Sequence, residues 1–133
     1  MYPDTELRFV SPEIGFGVFA TRHIPAGTIT YVQDSLDIEI DANRYAAMDP
    51  LQKQTVNRYA FVDPEGNRVL CCDHAKYVNH CCHSNTISTG YGFEIAIRDI
   101  MPGEQVTDDY GLFNLPYDME VICTKTDCRK TIS

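Results

Sequence analysis

Apolar and polar positions alternate along this chain in short stretches, most of them ending at glycine, proline or an acidic turn. Leu7-Arg8-Phe9-Val10 precedes Ser11-Pro12, and Val18-Phe19-Ala20 follows Gly15-Phe16-Gly17. Thr28-Ile29-Thr30-Tyr31-Val32 follows the turn Pro25-Ala26-Gly27. These runs are β-branched or aromatic enough to predict strands. Leu36, Ile38 and Ile40 alternate with Asp37 and Glu39, which predicts a half-buried strand. Phe93, Ile95 and Ile97 repeat that pattern, and Gln105-Val106-Thr107 predicts a last short strand after Pro102-Gly103. Asp63-Pro64-Glu65-Gly66-Asn67 separates Tyr59-Ala60-Phe61-Val62 from Arg68-Val69-Leu70-Cys71, a hairpin signal. Helical character is confined to about residues 41–57. Asp41 caps a first short helix reaching Met48, and Asp49-Pro50 supplies the N-cap and first position of a second, Leu51 to Val56. The pattern predicts a mostly β fold with one small helical insertion.

Composition narrows this picture. A chain of 133 residues supports one domain, and 44% hydrophobic content is that of a globular protein. Nineteen acidic against eleven basic side chains give a formal charge of −8. That balance excludes a nucleic-acid binder working through its whole surface, so direct nucleic-acid contact is not expected. It suits a basic protein or peptide partner, and serves solubility equally well. No apolar run approaches the roughly 20 residues of a membrane span. Met1-Tyr2-Pro3-Asp4 lacks the features of a signal peptide, so an intracellular setting is expected. The six cysteines fall as Cys71-Cys72, Cys81-Cys82 and Cys123/Cys128. Without an export signal, metal ligation or buried thiols explain them better than disulfides.

Three segments concentrate the chemistry. Gly15-Phe16-Gly17-Val18-Phe19-Ala20, with Ile24-Pro25-Ala26-Gly27 after it, allows close backbone approach to a ligand or simply a tight turn. Tyr77-Val78-Asn79-His80-Cys81-Cys82-His83-Ser84-Asn85 is either an exposed polar loop or a functional one, since such residues are costly to bury unpaired. Pro102-Gly103-Glu104-Gln105-Val106-Thr107-Asp108-Asp109-Tyr110-Gly111 reads alone as a strand end with a packed aromatic.

In this order and spacing the three segments resemble the SET domain, the fold of S-adenosylmethionine-dependent protein-lysine methyltransferases. That family runs from G-x-G-x-F-A and I-x-x-G through R-F-I-N-H-S-C-x-P-N to G-E-E-L-T-Y-D-Y-G, and the likeness spans about residues 7 to 129. The resemblance implies short sheets, a helical insertion and a C-terminal pseudoknot. In it, the Asn79–Asn85 stretch and the segment after Tyr110 pass through each other. It divides the chain into a SET domain over 1–116 and a post-SET-like tail over 117–133.

The same resemblance assigns residues. Gly15, Phe16, Gly17, Lys76, Asn79 and His80 would hold S-adenosylmethionine, with Tyr31 beside them. Tyr31 stands in for a family tyrosine that falls on Gln33 when counted without gaps from Gly27. Tyr59, Asp108 and Tyr110 would line the lysine channel, and Tyr110 would be catalytic. Asp108 stands where the family has Tyr or Phe, a position that influences how many methyl groups are added. Cys82, Cys123 and Cys128 match three of the four cysteines that bind one zinc in many members; Val121 replaces the fourth, so zinc is a candidate and not a requirement. One of Cys71 and Cys72 is expected in the core. The implied activity is methyl transfer to a lysine of a basic protein or peptide, histones included. The alternative is a catalytically weak module that binds peptide or cofactor.

Overall fold

In the computed structural model, residues 1–110 are described, together with the backbone at 119–120 and 131–132. The strands are β1 (Thr5–Ser11), β2 (Gly15–Ala20), β3 (Ile29–Val32), β4 (Ile38–Ile40), β5 (Phe61–Val62), β6 (Arg68–Leu70), β7 (Asn79–His80), β8 (Thr86–Ser88), β9 (Phe93–Ala96), β10 (Gln105–Asp108), β11 (Met119–Glu120) and β12 (Thr131–Ile132). Two helices, α1 (Ala42–Ala46) and α2 (Pro50–Tyr59), and a 3-10 turn (His74–Tyr77) complete the described elements. The mostly β fold and its small helical insertion follow the hydrophobic pattern.

Short strands collect into small sheets. The sheet that matters for function has the order β1-β2-β10-β7. Strand β10 pairs antiparallel with β2, Gln105 opposite Phe19 and Val106 opposite Val18. One residue later it pairs in parallel with β7, Thr107 with Asn79 and Asp108 with His80. A single four-residue strand therefore joins all three chemistry-bearing segments. Two further sheets have the orders β3-β9-β8 and β4-β6-β5, and β11 pairs with β12.

The core lies where these sheets meet. Val18 and Ala20 of β2, Val106 of β10, Ala96 of β9, and Val78, Ile24 and Ile100 from connecting segments form one buried cluster. Ile24 and Ile100 exchange backbone hydrogen bonds of 2.8 and 2.9 Å, closing the loops around it. Each Val or Ile side chain of the cluster contributes about 1.5–3 kcal/mol by leaving water.

Local chemistry explains the insertion. Asp49 Oδ1 accepts from Gln52 N at 2.8 Å, and Gln52 Oε1 accepts from Asp49 N at 3.0 Å. With Pro50 in the first turn, this reciprocal capping starts α2 where the sequence predicts. The helix continues to Tyr59, past the expected end at Val56, so the strand expected from Tyr59 shrinks to Phe61–Val62. Val56 is the only buried residue of α2, so tertiary packing exerts little control over its length. The strand expected from Leu36 begins at Ile38; Leu36 is 71% exposed and Ile40 carries the burial. Strands β7 and β8 and the 3-10 turn have no periodic signal in the sequence; long-range pairing and an Asp73 cap form them.

No helix among the described residues is long and apolar enough to cross a membrane. The second strand of the expected pseudoknot, and the boundary expected at 116/117, lie outside the described residues.

Candidate active site

Of the two glycines of β2, Gly15 serves the backbone with a φ of +83°, and Gly17 serves close approach. A Cβ on Gly17 would lie 2.5 Å from Gln105 Oε1 and 3.0 Å from Asn79 Nδ2. Its absence lets Asn79 cross to β2, where Nδ2 donates to Phe16 O and to Gln105 Oε1, both at 2.9 Å. Both amide hydrogens are thereby committed, and Oδ1 is the atom Asn79 can offer a ligand as an acceptor. Beside it runs a row of edge-to-face aromatic contacts. Phe9 meets Phe16 at 5.8 Å, Phe16 meets Tyr77 at 6.1 Å, and Tyr77 meets Tyr59 at 5.4 Å between ring centroids. Phe16 remains 46% exposed, a flat apolar surface. Lys76 Nζ sits 5.5 Å from the Tyr77 ring.

The middle segment is held to β10 by Asn85, which is almost wholly buried. Its Nδ2 donates to Gln105 O at 2.8 Å and its Oδ1 accepts from Thr107 N at 2.9 Å. Cys81 N donates to Asp108 O at 2.9 Å. These bonds satisfy β10 where its partner changes and would otherwise leave buried backbone groups unpaired.

Tyr110 follows directly. Its backbone N–H donates to His80 Nδ1 at 3.1 Å, and its hydroxyl donates to Val78 O. Because Nδ1 accepts, the imidazole proton belongs on Nε2, which lies 3.2 Å from Cys82 Sγ. Asp109 Oδ1 lies 3.7 Å from the same Nδ1. Burial, with Asp108 and Glu94 adding negative charge nearby, pushes the Tyr110 hydroxyl above the usual tyrosine range. It therefore stays protonated, and toward any further group its oxygen acts as an acceptor.

Asp108 is 1% exposed. Its Oδ1 accepts from Asp109 N at 2.7 Å. Its side chain meets the Glu94 carboxyl of β9 in hydrogen-bond contact. Burial first, then the mutual repulsion of the two acids, raises the carboxyl of Asp108 well above the ordinary range; burial raises that of Glu94. Glu94 also lines a cavity of about 800 Å³ with Tyr31, Phe61 and Phe93, so it is enclosed by protein yet reachable from solvent. Tyr31 is buried, and its hydroxyl donates to Asp37 Oδ2 at 2.5 Å. Burial and that carboxylate push the Tyr31 hydroxyl upward as well. Asp34, Glu39, Asp63 and Glu65 add acids to the cavity wall, and no Lys or Arg stands among its described lining residues.

The structure thus gathers Gly15, Phe16, Gly17, Lys76 and Asn79 about the aromatic row, and His80, Asp108 and Tyr110 at the end of β10. It does not bring Tyr31 to the aromatic row, nor Tyr59 to the cavity: Tyr31 lines the cavity and Tyr59 packs on Tyr77. Glu94, Gln105 and Asn85 take places in the site that sequence reading did not assign. A lone Glu between Phe93 and Ile95 looks like the solvent side of a strand, so only its neighbour Asp108 gives it meaning. Cys71 is buried as expected for one of its pair, its thiol pushed up to about 12 by burial, and Cys72 is exposed. Of the zinc candidates, Cys82 lies beside His80, while Cys123 and Cys128 lie outside the described residues. The described residues therefore hold no four-donor set for zinc.

The chain is 27% identical over 131 residues to "Putative histone-lysine N-methyltransferase ASHH4" of Arabidopsis thaliana, an alignment covering 89% of the chain and 36% of that protein. It is 26% identical over 132 residues to "Variant-silencing SET domain-containing protein" of Plasmodium falciparum (isolate 3D7), covering 86% of the chain and 5% of that protein. The chain thus spans well under two thirds of either relative. A crystal structure of KRYPTONITE in complex with mCHG DNA and SAH shares the fold, with a TM-score of 0.60 and 21% identity over 96% of this chain and 30% of that one. The SET domain family model matches residues 15–111, from the first glycine of β2 to the residue after Tyr110, and the chain belongs to that family.

Proposed function

We propose that this chain transfers a methyl group from S-adenosylmethionine to a lysine side chain of a protein substrate. The observation that carries the reading is the seating of Tyr110: its hydroxyl is fixed on Val78 O and its backbone on His80, and the charge of Glu94, a residue of the acidic cavity wall, acts on it. When bound, S-adenosylmethionine supplies a methyl group on a cationic sulfur. The residues present fit that group. The exposed Phe16 face suits the adenine, Lys76 suits the carboxylate, and Asn79 Oδ1 suits the ammonium of the methionyl end.

The chain's own groups would do the rest. The cavity wall draws in a cationic side chain by its negative charge. Tyr31, Phe61 and Phe93 flank it with rings, which strip water from the amine and so oppose the pull of the wall's acids toward the ammonium form. The Tyr110 oxygen, whose hydroxyl hydrogen is engaged on Val78 O, accepts an N–H of the amine and fixes the direction of its lone pair. A charge of −8 favours a substrate lysine in a basic segment, histone-like proteins among them, and the setting proposed is intracellular. One observation favours a binding module instead: an acid, Asp108, stands where the family has Tyr or Phe.

Incubation with labelled S-adenosylmethionine and a mixture of basic proteins decides between them. Label on lysine that is lost in Tyr110→Phe supports the transferase. Cofactor binding with no label in any protein supports the module and removes the transferase reading.

A further inference from the structure

We propose that Glu94 and Asp108 act together as the proton acceptor for the incoming lysine ammonium, an inference that rests on the methyl-transfer reading above. Three observations support it. Asp108 is 1% exposed, and no N–H or O–H donor among the described residues reaches its Oδ2. Such an orphaned oxygen is costly to keep and marks a place where a donor is expected. The Asp108 side chain is in hydrogen-bond contact with another acid, Glu94, and two carboxyls can bond only by sharing a proton. Glu94 opens on the acidic cavity, while Asp108 is two residues from Tyr110, so the pair spans from the entry route to the catalytic tyrosine.

Other titratable groups face the pair among the described residues. Asp109 and the Tyr110 hydroxyl adjoin it on the β10 side, and the Cys71 thiol faces Glu94. The N-terminal ammonium acts on Glu94 from a distance while pairing with Asp73 at 2.5 Å. In the proposed role the pair holds one shared proton and one negative charge when the substrate enters.

The proton count closes. The substrate enters as an ammonium. An N–H bond breaks, the proton joins the carboxylate, and the pair becomes fully protonated and neutral. The freed nitrogen lone pair forms the N–CH3 bond as the CH3–S bond breaks, its electrons remaining on sulfur. The product leaves as a methylammonium, and the pair returns its extra proton to solvent through the cavity. One proton is released per methyl transferred. An ordinary carboxylate is too weak a base for an amine whose free pKa is about 10.4; a raised, buried pair narrows that gap.

Glu94→Gln and Asp108→Asn test the idea with a lysine peptide from the labelled substrate and with the same peptide carrying thialysine, whose amine is more acidic. Cofactor affinity is measured alongside to show that each variant is folded. The expected result is unchanged cofactor affinity and a roughly 10²-fold slower transfer at neutral pH. The defect should shrink at high pH and with thialysine, because the amine then needs no acceptor. An active wild type whose variants match it in rate and pH profile overturns the proton-acceptor role and leaves the transferase reading intact. A wild type that binds cofactor and labels nothing overturns both. Carboxyl-carbon NMR of the wild type needs no substitution. A titration step above about pH 6 assigned to these two groups supports the shared proton, and two steps both below about pH 5 overturn it.

Discussion

The hydroxyl of Tyr110 donates to the backbone carbonyl of Val78 across 32 positions of sequence. Val78 is itself buried at the end of the 3-10 turn, so the tyrosine is fixed by main chain and not by a mobile side chain.

Tyr110→Phe removes that bond while keeping the ring. Under the proposed function, kcat for methyl transfer should fall about 10²-fold while cofactor affinity changes little, because a lost positioning group acts on the reacting geometry. Single-turnover kinetics with a cofactor titration measure the two effects separately. An equal fall in both would place Tyr110 in cofactor binding instead.

Gly17→Ala should disrupt the cofactor face. Its Cβ would meet Gln105 Oε1 at 2.5 Å and both Asn79 Nδ2 and Val10 Cγ2 at 3.0 Å. Overpacking of this kind costs about 1–3 kcal/mol, and here it also displaces the Asn79 amide from Phe16 O. Urea unfolding should show the loss of stability, and weaker S-adenosylmethionine binding in the folded variant should accompany it.

Asp49→Ala should be destabilising without touching the site. It removes the side chain that receives Gln52 N at 2.8 Å and leaves the start of α2 uncapped. The expected loss is about 1 kcal/mol, read as a lower melting temperature with unchanged cofactor affinity.

The Glu94–Asp108 pair also predicts an unusual pH dependence of stability. Both carboxyls have folded values raised above the unfolded ones near 4. Above pH 4 the folded state holds more protons than the unfolded one, so unfolding free energy falls as pH rises. The pair's contribution is fully present below about pH 4 and is lost as pH climbs through the raised values. Denaturation at a series of pH values, compared with Asp108→Asn so that the other carboxylates cancel, should show this slope in the wild type and a smaller one in the variant. Equal slopes would mean that the pair ionises normally.

Much of the site was legible in the chain because its parts are local. Gly15-Phe16-Gly17, Asn79-His80 and Tyr110 are recognisable from order and spacing, and the structure joins them through β10. Asp49-Pro50 announced its helix because a capping box is a contact between residues three apart. Tyr31 and Tyr59 were legible as aromatics but not as to place. Tyr31 goes to the cavity because β3 pairs with β9, and Tyr59 reaches Tyr77 because α2 runs on past its expected end.

The sequence by itself determined the strand pattern, the helical insertion and the family, since periodicity, caps and motifs are written in neighbouring residues. Only the tertiary structure decided that Glu94 faces Asp108. That contact joins β9 to β10, and its consequence, two acids sharing a proton, arises from burial and proximity that neither residue's local sequence contains.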